Sequence, residues 1–189
     1  MLAKQKKVLD YGYNSIMEMD SKYKEMMMDF GILKLKTGQE EIFNDAEKES
    51  AYLLIEGEIV LSWGEEEKVI SRESCFDQDP YALHVAKGVE VKVTAKTESE
   101  VLVQKTVNER DFEAVFYKPG DYRVDTFGDS LMNNTAKRRV KTIFDYDNAP
   151  YSNMVLGEVI DFPGKWSSYP PHSHIQPEIY YYRFNKLQG

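Results

Sequence analysis

Apolar residues fall on alternate positions along most of this 189-residue chain, and that period of two constrains the fold more than any other feature. In residues 51–63, Ala51, Leu53, Ile55, Ile59, Leu61 and Trp63 share one parity, while Glu56, Glu58 and Ser62 take the other. Val89, Val91, Val93 and Ala95 alternate in the same way with Glu90, Lys92, Thr94 and Lys96. Successive side chains on a strand point to opposite faces, so each run predicts a strand with one buried face. Trp63-Gly64-Glu65, Asp79-Pro80 and Lys87-Gly88 supply turns between the runs. Many short strands joined by tight turns predict an all-β protein, a sandwich or barrel. A helix is expected only near residues 130–143, where Asn133 or Asn134 is placed to cap a thin apolar stripe.

The alternation also suggests an organisation. Residues 1–116 read as one barrel domain. Residues 117–153 read as a linker or crossover, broken by Lys118-Pro119-Gly120 and Phe127-Gly128-Asp129. Residues 154–189 read as the start of a second barrel, with strands at 154–160 and 178–184. A small antiparallel barrel needs about six to eight strands to hide its edges. Only two or three fit after residue 154, so the second domain is expected to be truncated, and its open edges predict homo-oligomerisation.

Charge narrows the partners. With 24 Lys and Arg against 32 Asp and Glu, the net charge of −8 excludes a nucleic-acid groove or an anionic membrane surface as the default partner. No stretch approaches the ~18 consecutive apolar residues of a membrane helix. Cys75 is the single cysteine. A thiol without an intrachain partner fits a reducing compartment, so a cytoplasmic location is expected. With no basic cluster or catalytic partner nearby in sequence, Cys75 is not expected to be a nucleophile. Glu65-Glu66-Glu67 reads as a solvated turn.

The concentrated chemical signal is Pro170-Pro171-His172-Ser173-His174-Ile175-Gln176-Pro177-Glu178. Positions i and i+2 of a strand share a face, so His172 and His174 are expected to converge, and Pro177 lets the chain turn Glu178 back toward them. Two imidazoles with a carboxylate suit a divalent ion such as Zn, Mn, Fe or Ni. A histidine pair at this spacing also arises as ordinary polar residues; the nearby carboxylate and the adjoining tyrosine-rich run strengthen the metal reading. Tyr180 and Tyr182 share the parity of Glu178 and are expected to face the same interior, as barrel-filling aromatics or as donors to a substrate hydroxyl. Arg183 is expected to face outward. His84, the third histidine, lies in an alternating run and is expected to be an ordinary strand residue.

The spacing His-x-His-x3-Glu, with Gly164 before it and Gly189 after it, resembles the first motif of the cupin superfamily, although its flanking glycine spacings are longer than usual. Gly157-Glu158-Val159-Ile160, the string from Gly164 through Trp166-Ser167-Ser168-Tyr169-Pro170-Pro171 to His174, and Tyr180-Tyr181-Tyr182-Arg183-Phe184 resemble the 5-deoxy-glucuronate isomerases of bacterial myo-inositol breakdown. A weaker likeness extends upstream through Arg138-Arg139-Val140. That resemblance implies a two-cupin protein whose first cupin is structural and whose second holds a metal, Zn or Mn, through three histidines and one glutamate. His172, His174 and Glu178 match the first three ligands, and the fourth belongs to a later motif that this sequence does not contain. The implied reaction is the isomerisation of a small sugar acid, 5-deoxy-glucuronate, to 2-deoxy-5-keto-gluconate. The isomerases of 5-keto-4-deoxyuronate from pectin breakdown have a similar ligand arrangement, and a non-catalytic sugar-binding cupin is the alternative from a different class.

Overall fold

The computed structural model describes residues 8–166 and 172–186. Twelve strands are formed among them: β1 (Gly12–Met17), β2 (Asp29–Leu35), β3 (Glu40–Phe43), β4 (Lys48–Trp63), β5 (Glu66–Arg72), β6 (Ala82–Val85), β7 (Val91–Ala95), β8 (Ser99–Val107), β9 (Val115–Tyr117), β10 (Arg123–Phe127), β11 (Arg138–Phe144) and β12 (Leu156–Asp161). All pairings between them are antiparallel. The all-β expectation holds, but the sheets do not close into a barrel. Among the described residues no helix is long and apolar enough to cross a membrane.

The organising element is β4. Its first half pairs with β8 and β6, in the order β1-β2-β8-β4-β6-β9, and its second half pairs with β5 and β7, with β3 beyond β7. The change of sheet occurs at a register shift between Leu54 and Glu56. A bulge inserts one residue, so it also swaps which parity faces which side. Tyr52 and Leu54 before it and Ile59, Leu61 and Trp63 after it therefore line one core, with Leu33, Val93 and Val103 opposite. Ala51, Leu53 and Ile55 turn to a second core on the other face. The single odd-numbered stripe expected over 51–63 is thus split between two cores. Gly57 sits at the bend with φ +106°, a conformation in which a Cβ would lie 2.6 Å from the Glu98 carbonyl oxygen and against the Ser99 hydroxyl. Only glycine fits there.

β10, β11 and β12 form a separate three-stranded sheet. Its apolar side closes the second core with Ile143, Phe144, Met154 and Leu156, packed toward Phe30, Ile32 and Leu53. Gln104 and Asn108 donate to the carbonyls of Val155 and Tyr151, at 3.0 and 2.8 Å, and pin the turn before β12 to the first sheet.

The helix expected at residues 130–143 is absent. One 3-10 turn spans Met132–Asn134, and Ser130, Met132, Asn133 and Asn134 all have φ between 48° and 65°. Left-handed residues in succession cannot continue a right-handed helix. The chain enters β11 instead, whose β-branched Val140, Thr142 and Ile143 suit a strand.

Candidate metal centre

The segment that bears the histidine motif leaves the second sheet through β12. Glu158, in the middle of that strand, is gripped by Arg72 at the end of β5: Nη1 donates to Oε1 at 2.6 Å and Nη2 to Oε2 at 2.8 Å. The Arg72 side chain is fully buried; Nη1 and Nη2 also donate to the carbonyls of Leu54 and Gln78 at 2.8 and 2.9 Å, while Nε has no hydrogen-bond partner among the described residues. Lys141, also buried, lies 3.4 Å from Glu158 and 3.1 Å from Asp79. Past β12, Gly164 takes φ +72°, and the Trp166 amide donates to the Thr135 carbonyl at 2.6 Å. Ser167, Ser168, Tyr169, Pro170 and Pro171, part of the string that carries the resemblance, lie outside the described residues, as does Gly189.

His172, Ser173, His174 and Glu178 are all exposed. The His172 and His174 ring centroids are 5.8 Å apart. His174 is oriented on both sides: Nδ1 is 2.8 Å from the Gln176 carbonyl oxygen, and Nε2 is 3.2 Å from Glu178 Oε2. A carbonyl oxygen only accepts, so Nδ1 carries the hydrogen. In a neutral ring Nε2 then presents a lone pair toward a carboxylate oxygen. That pairing calls for a cation between the atoms, a proton or a metal ion. A separation of 3.2 Å is that of an ordinary imidazole–carboxylate pair, and a carbonyl on the distal nitrogen is also the usual support of a ligating imidazole. His174 and Glu178 are thus in contact, while the expected convergence of His172 with them on one point is not seen. Among the described residues no three His, Cys, Asp or Glu side chains gather into a single cage.

Residues 178–184, expected to be a strand, have no ladder partner among the described residues. Their side chains still alternate, with faces opposite to the expectation. Tyr180 and Tyr182 are 49% and 64% exposed and stack on each other at 5.9 Å, so they do not fill an interior. Ile179 and Tyr181 pack on the second core instead. Tyr181 donates to Glu100 Oε1 at 2.9 Å, and Arg183 turns inward to Glu100 and Glu56. The reason is chemical: two carboxylates on the first sheet attract Arg183, and its parity carries Ile179 and Tyr181 with it.

His84 is buried in β6 with Nε2 3.0 Å from Glu49, stacked on Phe144. Glu49 also accepts from the Asn153 amide at 2.7 Å, so this pair fastens the turn before β12. Cys75 is half-buried, and burial pushes its thiol up, away from a reactive thiolate.

Residues 1–189 match the KduI/IolB family over the whole chain. The chain belongs to that family. A curated 5-deoxy-glucuronate isomerase of Lacticaseibacillus casei is 29% identical over 154 residues, which are 75% of this chain and 55% of that protein. The crystal structure of an IolB-like protein from Salmonella typhimurium LT2 superposes with a TM-score of 0.65 at 19% identity, covering 74% of this chain and 52% of that one. A cupin superfamily protein of Desulfitobacterium hafniense, 14% identical, covers 57% of this chain and 84% of that one with a TM-score of 0.40. The superposition on the IolB-like structure shows a shared fold over about three quarters of this chain. It spans less than two thirds of the length of the curated relatives it matches.

Proposed function

We propose that this chain carries part of the metal centre of a sugar-acid isomerase, one that converts 5-deoxy-glucuronate to 2-deoxy-5-keto-gluconate in myo-inositol breakdown. The observation that carries the reading is the His174–Glu178 contact of 3.2 Å, with the Gln176 carbonyl on the other ring nitrogen, in a chain of the KduI/IolB family. Relatives named 5-deoxy-glucuronate isomerase support the substrate. The lone Cys75 supports a cytoplasmic location.

His172, His174 and Glu178 are the residues that would hold a divalent ion, Zn or Mn. Such an ion supplies Lewis-acid polarisation of the sugar carbonyl when bound. The chain's own residues do the rest. The Gln176 carbonyl fixes the tautomer of His174, which leaves the Nε2 lone pair facing Glu178. Tyr180 and Tyr182, side by side, are the phenols that would donate to substrate hydroxyls. The exposure of the whole motif favours a second reading, a sugar-binding chain without turnover.

The discriminating experiment is conversion of 5-deoxy-glucuronate by the purified chain with added Mn2+ or Zn2+, beside a His172→Ala, His174→Ala double variant. Metal-dependent turnover that the double variant lacks supports the isomerase. Metal and sugar-acid binding without turnover supports the second reading.

A further inference from the structure

The local contacts of the histidine motif include those of His174 with Gln176 and Glu178. Its described residues are mostly exposed and join no ladder, yet a metal site needs its ligands held to about half an ångström. Two ion-pair anchors flank the motif. Upstream, Arg72 grips Glu158 of β12. Downstream, Arg183 Nη1 lies 2.7 Å from Glu100, Nη2 meets Glu56, and the Tyr181 hydroxyl donates to the other Glu100 oxygen.

The downstream anchor has an independent signature in the first sheet. Glu56 and Glu100 are directly opposite each other on β4 and β8. Two carboxylates in that relation repel, and neighbouring strands normally avoid it. Here the Arg183 guanidinium bridges them, so the sheet presents a receptor for one arginine. Both anchors meet around residues 73–78: Arg72 donates to the Cys75 and Gln78 carbonyls, and the Cys75 thiol feels the charge of both Arg72 and Arg183.

We propose that Glu56 and Glu100, together with Arg72, are positioning residues for the histidine motif, holding from the first sheet both ends of the segment that bears His172, His174 and Glu178. The proposal rests on the metal reading of that motif. It gives the first sheet a part in the site although it contributes no ligand.

The test uses the full chain with Glu56→Gln and Glu100→Gln combined, changes that keep size and remove the mutual repulsion. Three quantities are read: the rate of tryptic cleavage after Arg183, the Mn2+ dissociation constant followed by the electron paramagnetic resonance of free Mn2+, and Tm. The expected result is cleavage after Arg183 about tenfold faster and Mn2+ binding about tenfold weaker, with Tm unchanged or raised. An Arg72→Lys variant, which keeps the charge but loses the two-pronged grip, is expected to weaken Mn2+ binding in the same direction. Unchanged cleavage after Arg183 overturns the anchor. Faster cleavage with an unchanged Mn2+ constant overturns the positioning role. A wild-type chain that takes up no Mn2+ overturns the metal reading and this proposal with it, whereas uptake that the variants leave unchanged overturns this proposal alone.

Discussion

Single residues carry much of what distinguishes this fold, and Gly57 is the sharpest case. It holds φ +106° where β4 passes between sheets, with the Glu98 carbonyl in the space a Cβ would need. Gly57→Ala is expected to destabilise the chain by about 2–4 kcal/mol, combining backbone strain with overpacking, as urea unfolding would measure. The sequence offers little warning, because Gly57 follows Glu56 in a run that reads as one uninterrupted strand. His174 is the opposite case. Its spacing to Glu178 is plain in the sequence, and the geometry brings the two together. What the sequence hides is the Gln176 carbonyl, since a backbone acceptor has no residue-type signature. The orientations of Tyr180, Tyr182 and Arg183 are hidden for a related reason: parity tells which residues share a face, but the partner, here Glu56 and Glu100, decides which face turns inward.

At the scale of elements, period-two alternation finds β4, β7 and β12 and places Val91, Val93 and Ala95 in the core as expected. It errs where an element changes parity or lacks a partner. The β4 bulge divides one apolar stripe between two cores, and residues 178–184 alternate without joining a sheet among the described residues. The helix expected at 130–143 yields to β11 because tertiary packing of Ile143 and Phe144 outweighs a weak helical pattern. The Arg72–Glu158 pair ties β5 to β12 across elements that no local pattern connects. Arg72→Ala is expected to cost about 3–5 kcal/mol, because Glu158 is left mostly buried without its guanidinium, and replacing Arg72 and Glu158 together with apolar residues should cost less than the single change. A double-mutant cycle in denaturant measures both.

For the molecule as a whole, two cores share one sheet, and that packing sets the alkaline limit of stability. Burial is the leading cause that pushes Tyr13 up from its ordinary value of 10.0 to about 12, and it raises Tyr52, Tyr117, Tyr122 and Tyr181 as well. A phenol whose pKa is higher folded than unfolded contributes stability that is complete below pH 10 and is lost as pH rises toward the folded value. Unfolding free energy is therefore expected to fall steeply above pH 10, with the phenolate absorbance of these tyrosines appearing together with loss of the fold. Independent titration of all tyrosines near pH 10 with the fold intact would contradict that packing. Among the described residues the outer edges of β10 and β12 carry no partner strand, and Phe127 and Val159 stand exposed on them. Self-association in light scattering is the expected behaviour of such edges. The claim on which the functional account turns is the divalent ion at His172, His174 and Glu178. Its most direct test is Mn2+ binding by the purified chain beside the His172→Ala, His174→Ala double variant: close to one ion per wild-type chain and none in the variant is the predicted result, and equal occupancy in the two, or no ion in either, would contradict it.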